Sequence, residues 1–287
     1  PARYTYKYPK VGEPNSEVSL HTYHVTKQET TTIQTEPQNW EYLPRIQWTK
    51  DPEMLSYQTL NRNQNDLKLY FADATTGKAR QIHQKTSDTY VEVNEMLTFL
   101  PDNAFIWNSE KSGYNHLYHY DADGELVNRI TEGNWEVTGF MGYDEADEQV
   151  YFQAAKPTPM QRQVYRIGLN GENRKQLSSE EGTHSVEFSA DYSYAIMTSS
   201  AANEPPQTTI LNAEREKVRQ PIENQALKER MGKYNFSDQT FFQFETRDGT
   251  QLNGYMVKPP NFDESREYPV LMRCYGGPGI KTVKNEW

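Results

Sequence analysis

The chain has 287 residues, 40 acidic against 30 basic, and a formal net charge of −10. That length fits one large or two ordinary domains, and the acidic balance argues against a nucleic-acid binder, which would carry a basic face to meet phosphates. No apolar run approaches the ~20 residues that cross a bilayer as a helix, and the lone Cys274 excludes an internal disulfide and a thiolate metal cluster.

The aromatic residues set the fold class: 20 Tyr, 11 Phe and 5 Trp, interrupted by polar turns, point to a mainly β protein. In chain order, strand-like segments fall at 20–25, then at 45–48, 54–58, 67–71 and 79–82. The set recurs at 96–99, 104–107, 116–120 and 126–130. It recurs again at 137–140, 150–153 and 163–167, and once more at 186–188, 194–197 and 208–211. The anchors Tyr23, Tyr70, Tyr118, Tyr165 and Leu211 are spaced by 47, 48, 47 and 46 residues. After the middle three anchors come turns closed by Gly77, Gly124 and Gly171, where glycine supplies the positive φ of a tight hairpin. Four antiparallel strands per ~40–50 residues is the arithmetic of a β-propeller blade. A β-sandwich also has evenly spaced strands, but it does not repeat the same four-strand unit with so little drift. The expected fold is therefore a partial β-propeller of about four and a half four-stranded blades. An open arc would leave apolar blade faces bare. This, with an opening Pro1 in place of Met, leads to the expectation that the chain is a piece of a longer protein that begins before Pro1.

The blade pattern stops near Pro221. A short helix is expected over 225–231, N-capped by Asn224 and ended by a left-handed Gly232. A hairpin follows, with Phe242 and Phe244 alternating with polar residues, an Asp248-Gly249 turn, and a second strand over 252–257 ended by Pro259 and Pro260. The apolar run 268–275 before a Gly-rich turn reads as a buried strand of an α/β sheet. In such sheets chemistry sits at the carboxyl ends of strands. The division expected is 1–233 partial propeller and 234–287 a second, α/β domain.

The run YPVLMRCYGGPG at 268–279, preceded by FETRDGTQLNGYMVKPPNFDESREYPV, resembles the prolyl oligopeptidase family of serine peptidases, within it the dipeptidyl peptidase IV branch. KYPKVGEPN at 7–15 and TEGNWEV at 131–137 agree with it. The resemblance implies an eight-bladed propeller joined to an α/β-hydrolase domain, of which this chain would be the second half of the propeller and the first hydrolase strands. It implies release of N-terminal dipeptides, Xaa-Pro or Xaa-Ala, through a Ser-His-Asp triad. It also implies a homodimer and a periplasmic or secreted site. Carried over by position, Tyr275 matches the tyrosine whose hydroxyl donates to the tetrahedral oxyanion. The residues alone leave a core aromatic beside a Gly-rich turn equally open. No G-x-S-x-G elbow occurs, so the nucleophile, and with it the triad Asp and His, is expected outside this chain, and the chain alone is expected to be inactive. The paired glutamates that the family uses for the substrate amine are expected before Pro1. Glu180-Glu181 reads as solvated surface, and at Val93-Asn94, near the family's second subsite, the motif does not match and no role is carried over.

The remaining candidates have plainer readings. His21/His24 and His116/His119 are three apart on strands and point to opposite faces. No metal or cofactor is therefore expected. Cys274 reads as a small packed hydrophobe. The glycine turn at 276–279 lacks the Lys-Ser/Thr of a phosphate loop, and the charge run 214–217 reads as a solvated turn. Peptide is the expected partner, with no nucleic acid and no membrane-spanning segment. The competing readings are a non-catalytic propeller binding a protein or glycan, and a propeller piece joining neighbours through its open ends.

Overall fold

The computed structural model describes residues 3–35, 40–93, 95–277 and 279–287. Hairpin β1 (His21–His24) and β2 (Glu29–Thr32) comes first, followed by β3 (Tyr42–Trp48), β4 (Met54–Leu60), β5 (Asp66–Asp73) and β6 (Ala79–Thr86). Next are β7 (Thr98–Phe99), β8 (Phe105–Ser109), β9 (His116–Tyr120) and β10 (Leu126–Arg129). Then come β11 (Val137–Asp144), β12 (Gln149–Ala154), β13 (Gln163–Gly168) and β14 (Lys175–Gln176), and after them β15 (Thr183–Phe188), β16 (Ala195–Ala201), β17 (Glu204–Leu211) and β18 (Lys217–Ile222). Each group of four forms one sheet with its strands in sequence order, so each is built from consecutive hairpins. Helix α1 (Gln225–Met231) and the hairpin β19 (Gln239–Glu245)–β20 (Gln251–Val257) complete the set.

The repeat read from sequence is the sheet itself. Tyr70, Tyr118, Tyr165 and Leu211 all lie on the third strand of their sheets and are all buried, whereas Tyr23, in the two-stranded hairpin, is 59% exposed. Equivalent cross-strand pairs recur. Tyr57 opposite Tyr70 stacks at 4.8 Å, and Phe152 opposite Tyr165 stacks at 5.5 Å. Such directly opposed aromatic pairs stabilise a sheet by ~0.2–1 kcal/mol each.

Contacts divide the chain into two compact units, one of residues 1–108 and 118–128, the other of 109–117 and 129–287. Within the first, alternate residues of β4 and β5 feed two cores on opposite faces. Leu67, Leu69 and Phe71 join Phe99, Phe105, Trp107 and Tyr120 on one face, while Leu55, Tyr57, Tyr70 and Ala72 join Leu20 and Ile33 on the other. A strand buried on both faces needs apolar residues at successive positions, as Leu69-Tyr70-Phe71-Ala72 supplies. Fully burying each large side chain is worth ~1.5–3 kcal/mol. The turn glycines have a second duty here. Gly77 (φ +73°) and Gly124 (φ +84°) lie so close to the preceding outer strand that a Cβ would sit 2.1 Å from Thr32 O and 2.0 Å from Ile82 O. Within the second unit, Val164, Val186, Ala195, Met197 and Leu211 form a smaller core.

Several expectations need correction. At the glycine position of the last four-stranded sheet stands Arg215, with φ +66°. It is not a solvated turn residue: its guanidinium lies 5.1 and 4.9 Å from the Tyr151 and Phe188 rings and donates to Tyr151 Oη at 2.7 Å. The strand expected over 96–99 shrinks at its start to β7, and Pro101 opens a 3-10 turn after Leu100. Helix α1 has the expected bounds but different ends. Asn224 is left-handed and makes no side-chain cap; its Nδ2 donates instead to Pro206 O. Gly232 is right-handed at φ −60°. Finally, the run 268–275 forms no strand and joins no sheet among the described residues. Val270, Leu271 and Met272 are 89, 97 and 82% exposed, and Cys274 is an exposed free thiol, not a packed one. Alternation and apolarity prepare a strand, but a neighbouring ladder makes one by satisfying its N–H and C=O groups.

Candidate functional site

Residues 258–287 carry Tyr275, with a locally bonded turn at the near end and bonds to distant parts of the chain at the far end. At the near end, Asp263 accepts from Ser265 N and Oγ at 3.0 and 2.7 Å, and these bonds hold its carboxyl below the usual range. Tyr268 closes the turn by accepting from Asp263 N at 3.1 Å, with its ring 5.0 Å from Phe262. The run 268–275 then ends at Tyr275, 59% exposed. Its ring lies across Gly277, where a Cβ would meet Cε1 at 2.4 Å, so the glycine lets the phenol approach the backbone. A phenol is an uncharged donor. Exposed beside Gly276 and Gly277, it can donate to a developing negative charge.

At the far end the chain bonds to other parts of the second unit. Asn285 N donates to Met160 O (2.8 Å), Thr183 Oγ1 donates to Asn285 O (3.0 Å), and Ala202 N donates to Asn285 Oδ1 (2.9 Å). Lys281 forms an ion pair with Glu136. Arg162, buried nearby, donates to Pro159 O and Gln161 O. Burial lowers its pKa, and the charges of Glu136 and Glu286 oppose that shift.

Glu136 belongs to residues 131–137, which fold around His116. Leu117 N donates to Thr131 Oγ1 (2.9 Å), Thr131 Oγ1 donates to His116 Nδ1 (3.0 Å), and His116 Nε2 donates to Gly133 O (2.9 Å). Gly133 O only accepts, so Nε2 carries a proton, and in the neutral ring that burial favours Nδ1 is the acceptor. Burial pushes the His116 pKa down, against the Gly133 bond. Trp135 stands perpendicular to the ring at 5.0 Å. One repeat later, Val164 N donates to Ser178 Oγ (3.0 Å), with Gln163 in the place of His116. His184, beside Thr183, repeats the neutral arrangement with Ser199 Oγ and Glu180 O, each at 2.8 Å, and its pKa is likewise lowered by burial.

The other candidates lie apart. Glu180 and Glu181 are exposed between β14 and β15. His116 and His119 have separate partners, His119 Nδ1 facing Asn128 at 3.3 Å. Val93 lines a cleft of about 530 Å³ in the first unit with Tyr42, Arg45 and Tyr90; Asn94, like Pro278 of the glycine turn, lies outside the described residues. In that cleft Glu41 accepts from Asn15 Nδ2 at 2.6 Å, and Arg62 donates to Tyr42 Oη at 2.7 Å. Sequence reasoning missed this cleft and the Asn285, Lys281 and Glu136 contacts. The one available signal was Glu136 inside TEGNWEV; nothing in the sequence around Asn285 marks it. Among the described residues no helix is long and apolar enough to cross a membrane.

Comparison with known proteins matches residues 1–206 to the family model described as the dipeptidyl peptidase IV (DPP IV) N-terminal region. Dipeptidyl peptidase 4 of Arthroderma otae is 27% identical over 292 residues, 98% of this chain and 38% of that protein. Dipeptidyl peptidase 4 of Trichophyton rubrum is 26% identical with the same coverage. The crystal structure of Porphyromonas gingivalis dipeptidyl peptidase 4 superposes with a TM-score of 0.92 at 38% identity, covering 99% of this chain and 40% of that one. The chain spans about two-fifths of the length of these relatives. The fold class is the one read from the repeat: mainly β, a partial β-propeller of four-stranded blades.

Proposed function

Since the chain belongs to the dipeptidyl peptidase IV N-terminal region family, we propose that it works within a serine-type dipeptidyl aminopeptidase. The protein that contains it releases N-terminal Xaa-Pro or Xaa-Ala dipeptides by acyl transfer. Residues 1–233 form the propeller wall that gates substrate entry, and 234–287 open the hydrolase domain. The nucleophile and its Asp and His partners come from outside these 287 residues, so the isolated chain is inactive. The protein acts as a homodimer in the periplasm or as a secreted enzyme.

Tyr275 donates to the oxyanion. One observation carries this role: an exposed phenol next to Gly276-Gly277, its ring against the Gly277 backbone, on a segment whose far end is bonded through Asn285. A neutral donor held where charge develops needs no reorganisation during reaction, and losing one such donor costs ~10²–10³ in kcat. Tyr275→Phe in the full-length protein should lower kcat on a Xaa-Pro chromogenic substrate by that factor and leave the unfolding midpoint unchanged. An unaltered kcat refutes the assignment.

A further inference from the structure

We propose that Asn285, together with the Glu136–Lys281 ion pair, is a positioning device that ties the Tyr275 turn to the sheet β15–β18 and to the 131–137 turn. The proposal rests on the oxyanion reading of Tyr275 given above.

After β20 ends at Val257, the chain joins no further sheet among the described residues. Every residue held in one conformation loses backbone entropy, and the bonds of Asn285 and Lys281 offset that cost for the residues that follow Tyr275. Asn285 uses its backbone N–H, its backbone carbonyl and its side-chain oxygen. Its N–H goes to Met160 ahead of β13, its carbonyl to Thr183 at the start of β15, and its side-chain oxygen to Ala202 N in the turn between β16 and β17. These partners come from three separate parts of the chain, so the residue is fixed in three directions. Only the last bond depends on the side chain, and it satisfies a backbone N–H in a tight turn.

Charge supports the same docking. Arg162 is 6% exposed, and its hydrogen bonds run to neutral carbonyls. A buried guanidinium is costly unless negative charge lies near it. Glu136 and Glu286 both act on it, one from the 131–137 turn and one from the docked tail itself. Lys281 meets the same Glu136. Ten residues separate Tyr275 from Asn285 and six separate it from Lys281. At ~3.3–3.6 Å per residue, the ion pair confines the phenol more tightly than the asparagine alone. Freeing this end would let the phenol drift, and a ~1 Å misplacement at a reacting centre costs up to ~10²-fold in rate.

The test is a double-mutant cycle in the full-length protein on a Xaa-Pro chromogenic substrate. Asn285→Leu keeps the size and removes the acceptor; Asn285→Asp keeps the acceptor. Asn285→Leu should lower kcat about ten- to hundredfold with KM little changed, and Asn285→Asp should restore most of it. In the Tyr275→Phe background Asn285→Leu should cost nothing more, because residues acting through one another are not additive. A merely structural role predicts equal losses in both backgrounds, and that result overturns the proposal. So does an unchanged kcat in Asn285→Leu when Tyr275→Phe loses activity, a pattern that leaves the oxyanion reading standing. An unchanged kcat in Tyr275→Phe removes both together. If Asn285→Leu does not fold, Lys281→Met takes its place in the same cycle and is read in the same way.

Discussion

Thr131→Val isolates the hydroxyl that holds the His116 turn together. Thr131 is 1% exposed, and valine fills its shape without the oxygen. Two buried groups then lose their partners: Leu117 N–H, which donated to the hydroxyl, and His116 Nδ1, which accepted from it. Each unsatisfied buried group costs ~1–3 kcal/mol, so the total is about 2–6 kcal/mol. In domains of 150–250 residues ~1 kcal/mol moves the thermal midpoint by ~2–4 °C, and the expected drop is roughly 4–24 °C. The repeat supplies an internal comparison. Ser178→Ala frees Val164 N–H alone, because Gln163 Oε1 keeps Gln176 Nε2 as a second donor. Its cost should be about half as large. Thr89→Val, at an exposed hydroxyl that faces Ser87, should fall within ~0.5 kcal/mol of the parent. Thermal unfolding followed by circular dichroism at pH 7.5 ranks the three variants. A Thr131→Val midpoint no lower than that of Thr89→Val refutes the assigned network.

Gly124→Ala adds a Cβ 2.0 Å from Ile82 O at positive φ, while Gly113→Ala, at φ +93° with nothing within 4 Å, bears only the backbone penalty of ~1–2 kcal/mol. Urea unfolding should show the first clearly more destabilised than the second; equal losses count against the close approach. His116 and His184 both have pKa values lowered from 6.5 by burial. The unfolded chain therefore binds more protons than the folded one as pH falls below 6.5, so their contribution is complete above pH 6.5 and is lost as pH falls through the lowered folded values. His116→Gln should flatten the dependence of urea midpoint on pH between 7 and 5; an unchanged slope contradicts the assignment. Cys274 should react with an aromatic disulfide reagent as fast in the native 287-residue chain as in urea, and protection in the native chain contradicts its exposure.

Local rules made much of this protein readable from its residues. Side-chain alternation and a glycine turn are properties of a few neighbouring residues, so Tyr70, Tyr118, Tyr165 and Leu211 could be placed on equivalent strands before any coordinates. Consecutive antiparallel strands pair with their chain neighbours, so their ladders were legible too. The helix bounds at Gln225 and Met231 followed from the same kind of signal, although its caps did not. Tyr275 stood out only through its resemblance to a family motif, since an aromatic before two glycines is otherwise ambiguous.

Tertiary structure decided the rest. Asn285 meets Thr183 across 102 positions of chain, and no local pattern encodes a partner so distant. Arg215 looked like part of a surface charge run until Tyr151 and Phe188 were seen beneath it. Cys274 and Val270 sit in an apolar run, yet both are exposed, and the run joins no ladder among the described residues. Periodicity fixes which way a side chain points along its own strand; burial depends on what other parts of the chain bring to that face.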